Sequence, residues 1–226
     1  MKFFNLVRVE RINRSAQSAR YWSNRELRRF SPFAAGDVVN VSGWKDEDKE
    51  GAHYRDYFPR ARTYSITNYS GDSGYQGTHG EILLDLRKPL PPELNSRFDV
   101  VLSHTALEHI FEAHEAFANL AKLTRDVLIV VVPFCQVQHE LPSFGDFWRF
   151  TPSSLRELYS RNGLQVIYES CNEDFAGANY LFFVGSRSPD AYREFSSGTR
   201  QLGLVGAWIG KSWWQRIFPR LWIERL

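Results

Sequence analysis

Cysteine is almost missing from this chain: its 226 residues include only Cys135 and Cys171. Two cysteines so far apart give neither a metal-ligand spacing nor a disulfide framework, and they read as buried free thiols in a reducing compartment. No run of 18 apolar residues occurs, which argues against a spanning helix. The short apolar stretch Phe3 to Val7 is followed by arginines, so it does not build a signal sequence. The expected compartment is the cytoplasm. Internal repeats and low-complexity segments are also missing. A large charge excess is absent, the net being +2, yet that figure conceals an asymmetry. Residues 1–30 hold eight Lys/Arg against Glu10 and Glu26 and so carry +6. Residues 200–226 carry +4, which leaves the residues between at −8. Basic ends on an acidic body either meet an anionic partner or pair with the body itself. Basic residues are too few, and known binding modules too clearly absent, for a nucleic-acid role.

What is present is apolar material. Hydrophobic residues make up 43% of the chain, enough for one domain with a sizeable core plus tails. Residues 3–30 lack Pro and Gly and permit a helix, which Ser31-Pro32 ends. Asp37 to Ser42 reads as a buried strand between Gly36 and Gly43. Lys45 to Glu50 reads as a solvated acidic loop. Thr63 to Thr67 is a second strand, and Gly71 to Gly80, with four glycines, a loop. Glu81 to Asp85 is a third strand, stopped by Pro89, Pro91 and Pro92. Phe98 to Ser103 is a fourth. A helix is predicted over Ala113 to Leu123, with Ala116, Phe117, Leu120 and Leu123 on one face. Asp126 to Val132, apolar on both faces and ended by Pro133, reads as a central parallel strand. Thr151-Pro152 opens a helix that Gly163 closes. Leu164 to Glu169 and Tyr180 to Gly185 lie close enough in sequence to pair antiparallel. Alternation of strands and helices predicts a Rossmann-like, doubly wound α/β domain over 36–190. Its seven-strand sheet is mostly parallel, with one antiparallel strand. A basic helical extension over 1–35 precedes it and an aromatic, basic tail over 191–226 follows.

Four segments, in order, resemble the S-adenosylmethionine-dependent methyltransferases of class I, methyltransferase-11 type. They are Gly36-Asp-Val-Val-Asn-Val-Ser-Gly43, Leu83-Leu-Asp-Leu-Arg-Lys-Pro-Leu-Pro91, Phe98-Asp-Val-Val-Leu-Ser-His-Thr-Ala-Leu-Glu-His109, and Val132-Pro-Phe134 running to Asp146-Phe-Trp-Arg-Phe-Thr-Pro152. The last resembles a loop of the subset associated with surface-glycan synthesis. The resemblance covers about residues 36–185 and implies S-adenosylmethionine as cofactor. It implies a site along Ser42, Gly43, Asp85 and Ser103, with Asp85 at the adenine amino group. In open α/β sheets ligands bind beyond the carboxyl ends of the strands, where these residues fall. Two departures stand out. The glycine-rich turn is reduced to Gly43, followed by Trp44, which either stacks on a ligand or packs. The ribose-gripping acid after the second strand is replaced by Thr67 and Asn68, each able to accept one neutral hydrogen bond. That loss costs about 1–2 kcal/mol.

Ser103 and His104 end the fourth strand, where the resemblance places the methyl donor. His104, Glu108, His109 and His114 do not share one helix face, so no metal site is expected. His139, Asp146, Trp148 and Arg149 follow the fifth strand on the same edge. His139, with His104, is the candidate base for a substrate hydroxyl. Trp148 offers a face to a sugar ring or lipid, Arg149 a cation for phosphate or carboxylate, and His109 a hold on the loop or the acceptor. In the bland alternative Asp146 and Arg149 form a salt bridge that closes the loop, with Trp148 in the core.

Residues 202–226 contain Trp208, Trp213, Trp214 and Trp222 with Lys211, Arg216, Arg220 and Arg225. This is the composition of an interfacial membrane segment, which Pro219 would kink, or of an appendage packed on the domain or a second subunit. The first reading places the protein at the inner face of the membrane; the second includes a homodimer. Two functions follow from the resemblance. One is O-methylation of a glycan precursor or related metabolite. The other is a catalytically inactive module that partners or regulates glycan assembly.

Overall fold

The computed structural model describes residues 17–70, 74–78, 80–172, 178–196 and 202. Expectations for residues 1–16 and for the tail from 203 lie outside the described residues. Helix α1 (Gln17–Phe30) is followed by β1 (Gly36–Val41), β2 (Ala61–Asn68), β3 (Glu81–Leu83), β4 (Phe98–His104), α2 (Ala113–Leu123), β5 (Thr124–Cys135), α3 (Pro152–Arg161), β6 (Gln165–Cys171), β7 (Asn179–Ser186) and α4 (Arg193–Ser196). The seven strands form one sheet in the order β3-β2-β1-β4-β5-β7-β6. Strand β7 runs antiparallel to both neighbours, and the other pairings are parallel. This is the expected mixed sheet. No helix of the described residues is long and apolar enough to cross a membrane.

Strand β5 lies between β4 and β7, which pair both its edges, and Val127 to Val132 are fully buried on both its faces. Its alternate residues supply two cores, as a period of two requires. Leu128, Val130 and Val132 meet Phe117 and Leu120 of α2 and Leu155 and Tyr159 of α3. Val127, Ile129 and Val131 meet Val100 and Leu102 and share a core with Ala19, Leu27 and Phe30 of α1. Each such side chain stabilises by about 1.5–3 kcal/mol when fully buried. The expected end at Pro133 is corrected: β5 runs on to Cys135. Proline is tolerated there because β4 pairs only as far as Val131, so no parallel neighbour needs the missing N–H. Cys135 is exposed, and Cys171 at the end of β6 is only partly covered, so neither thiol is buried as expected.

Helix α2 has the expected bounds, and its four named apolar residues are fully buried. At the start of α3 the Thr151 hydroxyl accepts from Ser154 N at 3.1 Å and the Ser154 hydroxyl accepts from Thr151 N at 3.1 Å. Such a capping box is worth about 1 kcal/mol.

The regular alternation of strand and helix does not extend to the first half of the sheet. Among the described residues, β1 to β4 are joined by loops and single 3₁₀ turns at Tyr54–Tyr57 and Pro92–Leu94. Glycines and prolines in these segments oppose longer helices. Helix α1 takes over the cover of that face. The loop after β1 is also less solvated than expected, because Asp46 and Asp48 are buried. Asp46 accepts from Asn40 Nδ2 at 2.9 Å, the Tyr64 hydroxyl at 2.6 Å and Arg55 N at 3.0 Å. Asp48 accepts from Glu50 N, Ala52 N and the Tyr57 hydroxyl.

Candidate functional site

Strand order reverses between β1 and β4, each of which starts a run toward one edge of the sheet. A cavity of about 450 Å³ opens beyond the carboxyl ends of β1 to β4, the position at which open α/β sheets take ligands. Its size lies in the range that holds a small-molecule ligand. Ser42 and Trp44 line it from β1, Asn68 and Tyr69 from β2, Asp85 and Arg87 from the segment after β3. Thr105 and His109 line it from β4, and Phe144 and Phe147 from the loop after β5.

The turn after β1 is built without a glycine in the left-handed region. Ser42, Trp44 and Asp46 carry φ values of 56°, 50° and 63°, as does Thr105 after β4 at 52°. Each costs of order 1 kcal/mol or more, and such strain collects at functional sites. Gly43 itself is not left-handed; its absence of a side chain serves packing. A Cβ there would lie 2.7 Å from Asn40 Nδ2 and 3.0 Å from Ile66 Cγ2. Gly43 therefore seats the turn on β1 and β2 and does not line the cavity.

Thr67 and Asn68, the expected ribose partners, are spent on that turn. Thr67 Oγ1 accepts from Ser42 N at 3.4 Å, and Thr67 O accepts from Gly43 N at 3.2 Å. Asn68 Oδ1 accepts from Trp44 N at 2.8 Å, and Asn68 Nδ2 donates to Trp44 O at 3.1 Å and to Glu81 Oε1 at 2.7 Å. Glu81, not foreseen in this role, also accepts from the Gln76 and Thr78 amides. Asn68 lines the cavity, whereas Thr67 is buried away from it.

Asp85 lines the cavity with its carboxylate gripped by Arg87: Nε donates to Oδ1 and Nη2 to Oδ2, both at 2.8 Å. These bonds, which outweigh partial burial, hold the carboxyl below its ordinary range.

Ser103 and His104 point to opposite faces of β4 and neither lines the cavity. Ser103 Oγ is buried with no hydrogen-bond partner. His104 faces α1, where Arg20 Nη1 is 3.0 Å from Nδ1, Ser23 Oγ is 2.8 Å from Nε2 and the Tyr54 ring packs alongside. Burial, aided by the Arg20 charge, drives its pKa well down and keeps the imidazole neutral. The structure thus corrects the placement of His104 beside a substrate: it is a core histidine.

The segments 104–111 and 139–149 do come together. The Glu108 carbonyl accepts from Phe147 N at 2.8 Å and Trp148 N at 3.3 Å, and Trp148 Nε1 donates to Ile110 O at 3.0 Å. His109 Nδ1–H donates to Gly145 O at 2.6 Å, and its Nε2 lies 3.8 Å from Glu108 Oε1. Burial lowers the His109 pKa. His139 packs edge-on against His109 at 4.9 Å between centroids, outside the cavity lining. Asp146 and Arg149 form the loop-closing bridge, with bonds of 2.6 and 2.7 Å. Arg149 holds the Asp146 pKa at about 2. Arg149 is thus engaged within the loop.

The sequence gives Glu108 neither a metal role nor any other of its own. Both its carboxylate oxygens are buried without a hydrogen-bond partner, and burial raises its pKa to about 7. Among the described residues, no group of three or more His, Cys, Asp or Glu is placed to hold a metal ion. Sequence reasoning also missed Tyr69, Arg87, Thr105, Phe144 and Phe147. Of these, Arg87 carried a signal, standing two residues after Asp85 where a short turn closes a bidentate pair.

No model of a known protein family matches the chain, and no curated protein does. Solved structures do. A chain of the complex between the Haloferax volcanii Trm112 methyltransferase activator and a candidate methyltransferase is 16% identical at a TM-score of 0.53, covering 76% of this chain and 91% of that one. A candidate methyltransferase from Bacillus halodurans is 11% identical at 0.53, covering 72% and 97%. An S-adenosylmethionine-dependent methyltransferase from Mesorhizobium loti is 12% identical at 0.50, covering 72% and 96%. At these identities the likeness is one of fold: the chain has the Rossmann-like fold of these methyltransferase structures.

Proposed function

We propose that the chain is an S-adenosylmethionine-dependent methyltransferase that acts on a hydroxyl of a small metabolite, with a glycan precursor as acceptor. The observation that carries this reading is the cavity beyond β1 to β4, with Asp85 on one wall and His109 on another. Its donor set suits the cofactor. Asp85 offers a carboxylate to an amino group, Trp44 and Tyr69 offer apolar faces, and the left-handed turns at Ser42 and Thr105 line the cavity beside them. S-adenosylmethionine, when bound, supplies an electrophilic methyl group.

The protein's own task is to align the acceptor and take up its proton. The base role expected of His139 fits His109 better. His139 Nδ1 is 2.9 Å from the Gln136 amide nitrogen and accepts its N–H, which leaves the ring proton on Nε2. His109 lines the cavity, carries its proton on Nδ1 toward Gly145 O, and keeps Nε2 as the unprotonated nitrogen. Nε2 lies 3.8 Å from Glu108 Oε1, so an ionised Glu108 would pair with the imidazolium formed there. The exposed rings of Phe111, Phe147 and Trp148 lie beside this segment and suit the apolar face of a sugar ring. The tail from 202, rich in Trp and basic residues, then holds the enzyme at an anionic membrane. Loss of vesicle binding on deleting residues 203–226 supports that assignment, and binding unchanged by the deletion overturns it.

A second reading, an inactive module that partners glycan-assembly enzymes, is favoured by one observation: Asn68 is fully engaged with Trp44 and Glu81. Calorimetric titration with S-adenosylhomocysteine separates the two. Saturable binding supports the enzyme, and no binding at millimolar concentration supports the module.

A further inference from the structure

The charged groups lining the cavity are one ion pair, Asp85 with Arg87, and little else. Asp85 Oδ1 is filled by the Arg87 backbone N–H at 3.1 Å and by Nε at 2.8 Å. Asp85 Oδ2 accepts one bond, from Arg87 Nη2 at 2.8 Å. A carboxylate oxygen has room for two donors, so Oδ2 keeps one lone pair. Arg87 has five N–H donors. The side chain's bonds to Asp85 use two, and it makes no other hydrogen bond among the described residues. Oδ2 and Nη2 therefore stand side by side as an acceptor and a donor in the plane of a bidentate pair. An adenine edge presents the complement, an amino donor next to a ring-nitrogen acceptor, which planar amide side chains read in the same two-bond fashion.

We propose that Arg87, held by Asp85, is a specificity-determining residue that reads the adenine ring together with it, so that the pair and not the lone carboxylate recognises the base. This rests on the cofactor reading above. The pair is not a latch that must open, since the carboxylate need not release Arg87 to accept one more donor. A hypoxanthine ring places an acceptor oxygen where adenine has its amino group. Oδ2 then faces an oxygen, and the pair rejects it.

The test is calorimetric titration of the full chain with S-adenosylhomocysteine and with its inosine counterpart. The wild type is expected to prefer the adenine compound by about 10- to 100-fold, the range of one good two-point contact. Arg87→Ala should weaken binding of the adenine compound about 5- to 30-fold and shrink the preference. Arg87→Lys, which has no planar fork, should also lose the preference. The pair is largely exposed on the arginine side, so both variants should melt close to the wild type. A merely structural arginine would leave the preference unchanged. If the wild type binds but Arg87→Ala binds equally or more tightly, this inference is overturned and the cofactor reading stands. If the wild type binds neither compound, both fall.

Discussion

Asn68 clasps the backbone of Trp44 from both sides, accepting from its N–H at 2.8 Å and donating to its C=O at 3.1 Å. The side chain that the sequence offers to a ribose is instead a strut between the ends of β1 and β2.

The strut predicts how acid substitutions behave. Asn68→Asp removes both donations by Nδ2 and sets a carboxylate against the Trp44 carbonyl and Glu81. A loss of about 1–3 kcal/mol of stability should follow, read as a lower denaturation midpoint. Thr67→Asp buries a carboxylate at a site that is 1% exposed and should destabilise as well. Tighter S-adenosylhomocysteine binding by either variant would show that a ribose position had been filled after all.

The turn itself supplies a pair of opposite outcomes. Ser42→Gly relieves a left-handed φ of 56° and should stabilise by about 0.5–1 kcal/mol, the relief being partly offset by unfolded-chain entropy. At this chain length that is a rise of a few degrees in Tm, by roughly 2–4 °C per kcal/mol. Gly43→Ala puts a Cβ 2.7 Å from Asn40 Nδ2 and should lower Tm. Equal shifts for the two would remove the packing account of Gly43.

The two histidines can be told apart kinetically. His109→Asn keeps an N–H for Gly145 O but offers no basic nitrogen, so kcat should fall by about 10²- to 10⁴-fold with S-adenosylhomocysteine affinity nearly unchanged. His139→Ala should alter kcat far less. The reverse ranking would return the proton to His139.

Glu108 should make stability depend on pH. Its carboxyl titrates near 7 in the folded chain, against 4.5 ordinarily, so the folded state binds its proton more tightly. Stability from this group is full below about pH 4.5 and declines as pH rises to about 7. The difference is of order 3 kcal/mol, at 1.36 kcal/mol per unit. Glu108→Gln removes the ionisation. Melting curves from pH 5 to 8 should show the variant gaining on the wild type as pH rises; parallel curves would mean the carboxyl is solvated.

Much of the sheet was legible because β5 and α2 follow simple periods. The six-residue apolar run from Val127 to Val132, ended by Pro133, fits a strand buried on both faces, and the spacing of Ala116, Phe117, Leu120 and Leu123 fits one helix face. The same period of two could have separated Ser103 from His104, since neighbours on a strand face opposite ways. Val100, Leu102 and His104 belong to one face, and that face is covered by α1. What could not be read was cover from outside the motif: Ser23 and Arg20 lie more than 80 residues from His104 and claim both its ring nitrogens. The cavity wall was legible at Asp85 and opaque at Phe144 and Phe147, whose loop is placed by the backbone of Glu108 and has no period of its own.

Among the described strands β7 is the last in sequence, yet it is seated between β5 and β6. During synthesis, therefore, β5 is complete more than 40 residues before its second neighbour exists. Until then its open edge presents unpaired amides and carbonyls on one of the most apolar segments of the chain, a template for intermolecular pairing. A chain cut before Asn179 should accumulate as aggregate, not as a smaller folded domain, and the nascent protein depends on shielding of that edge until Ser186 has emerged.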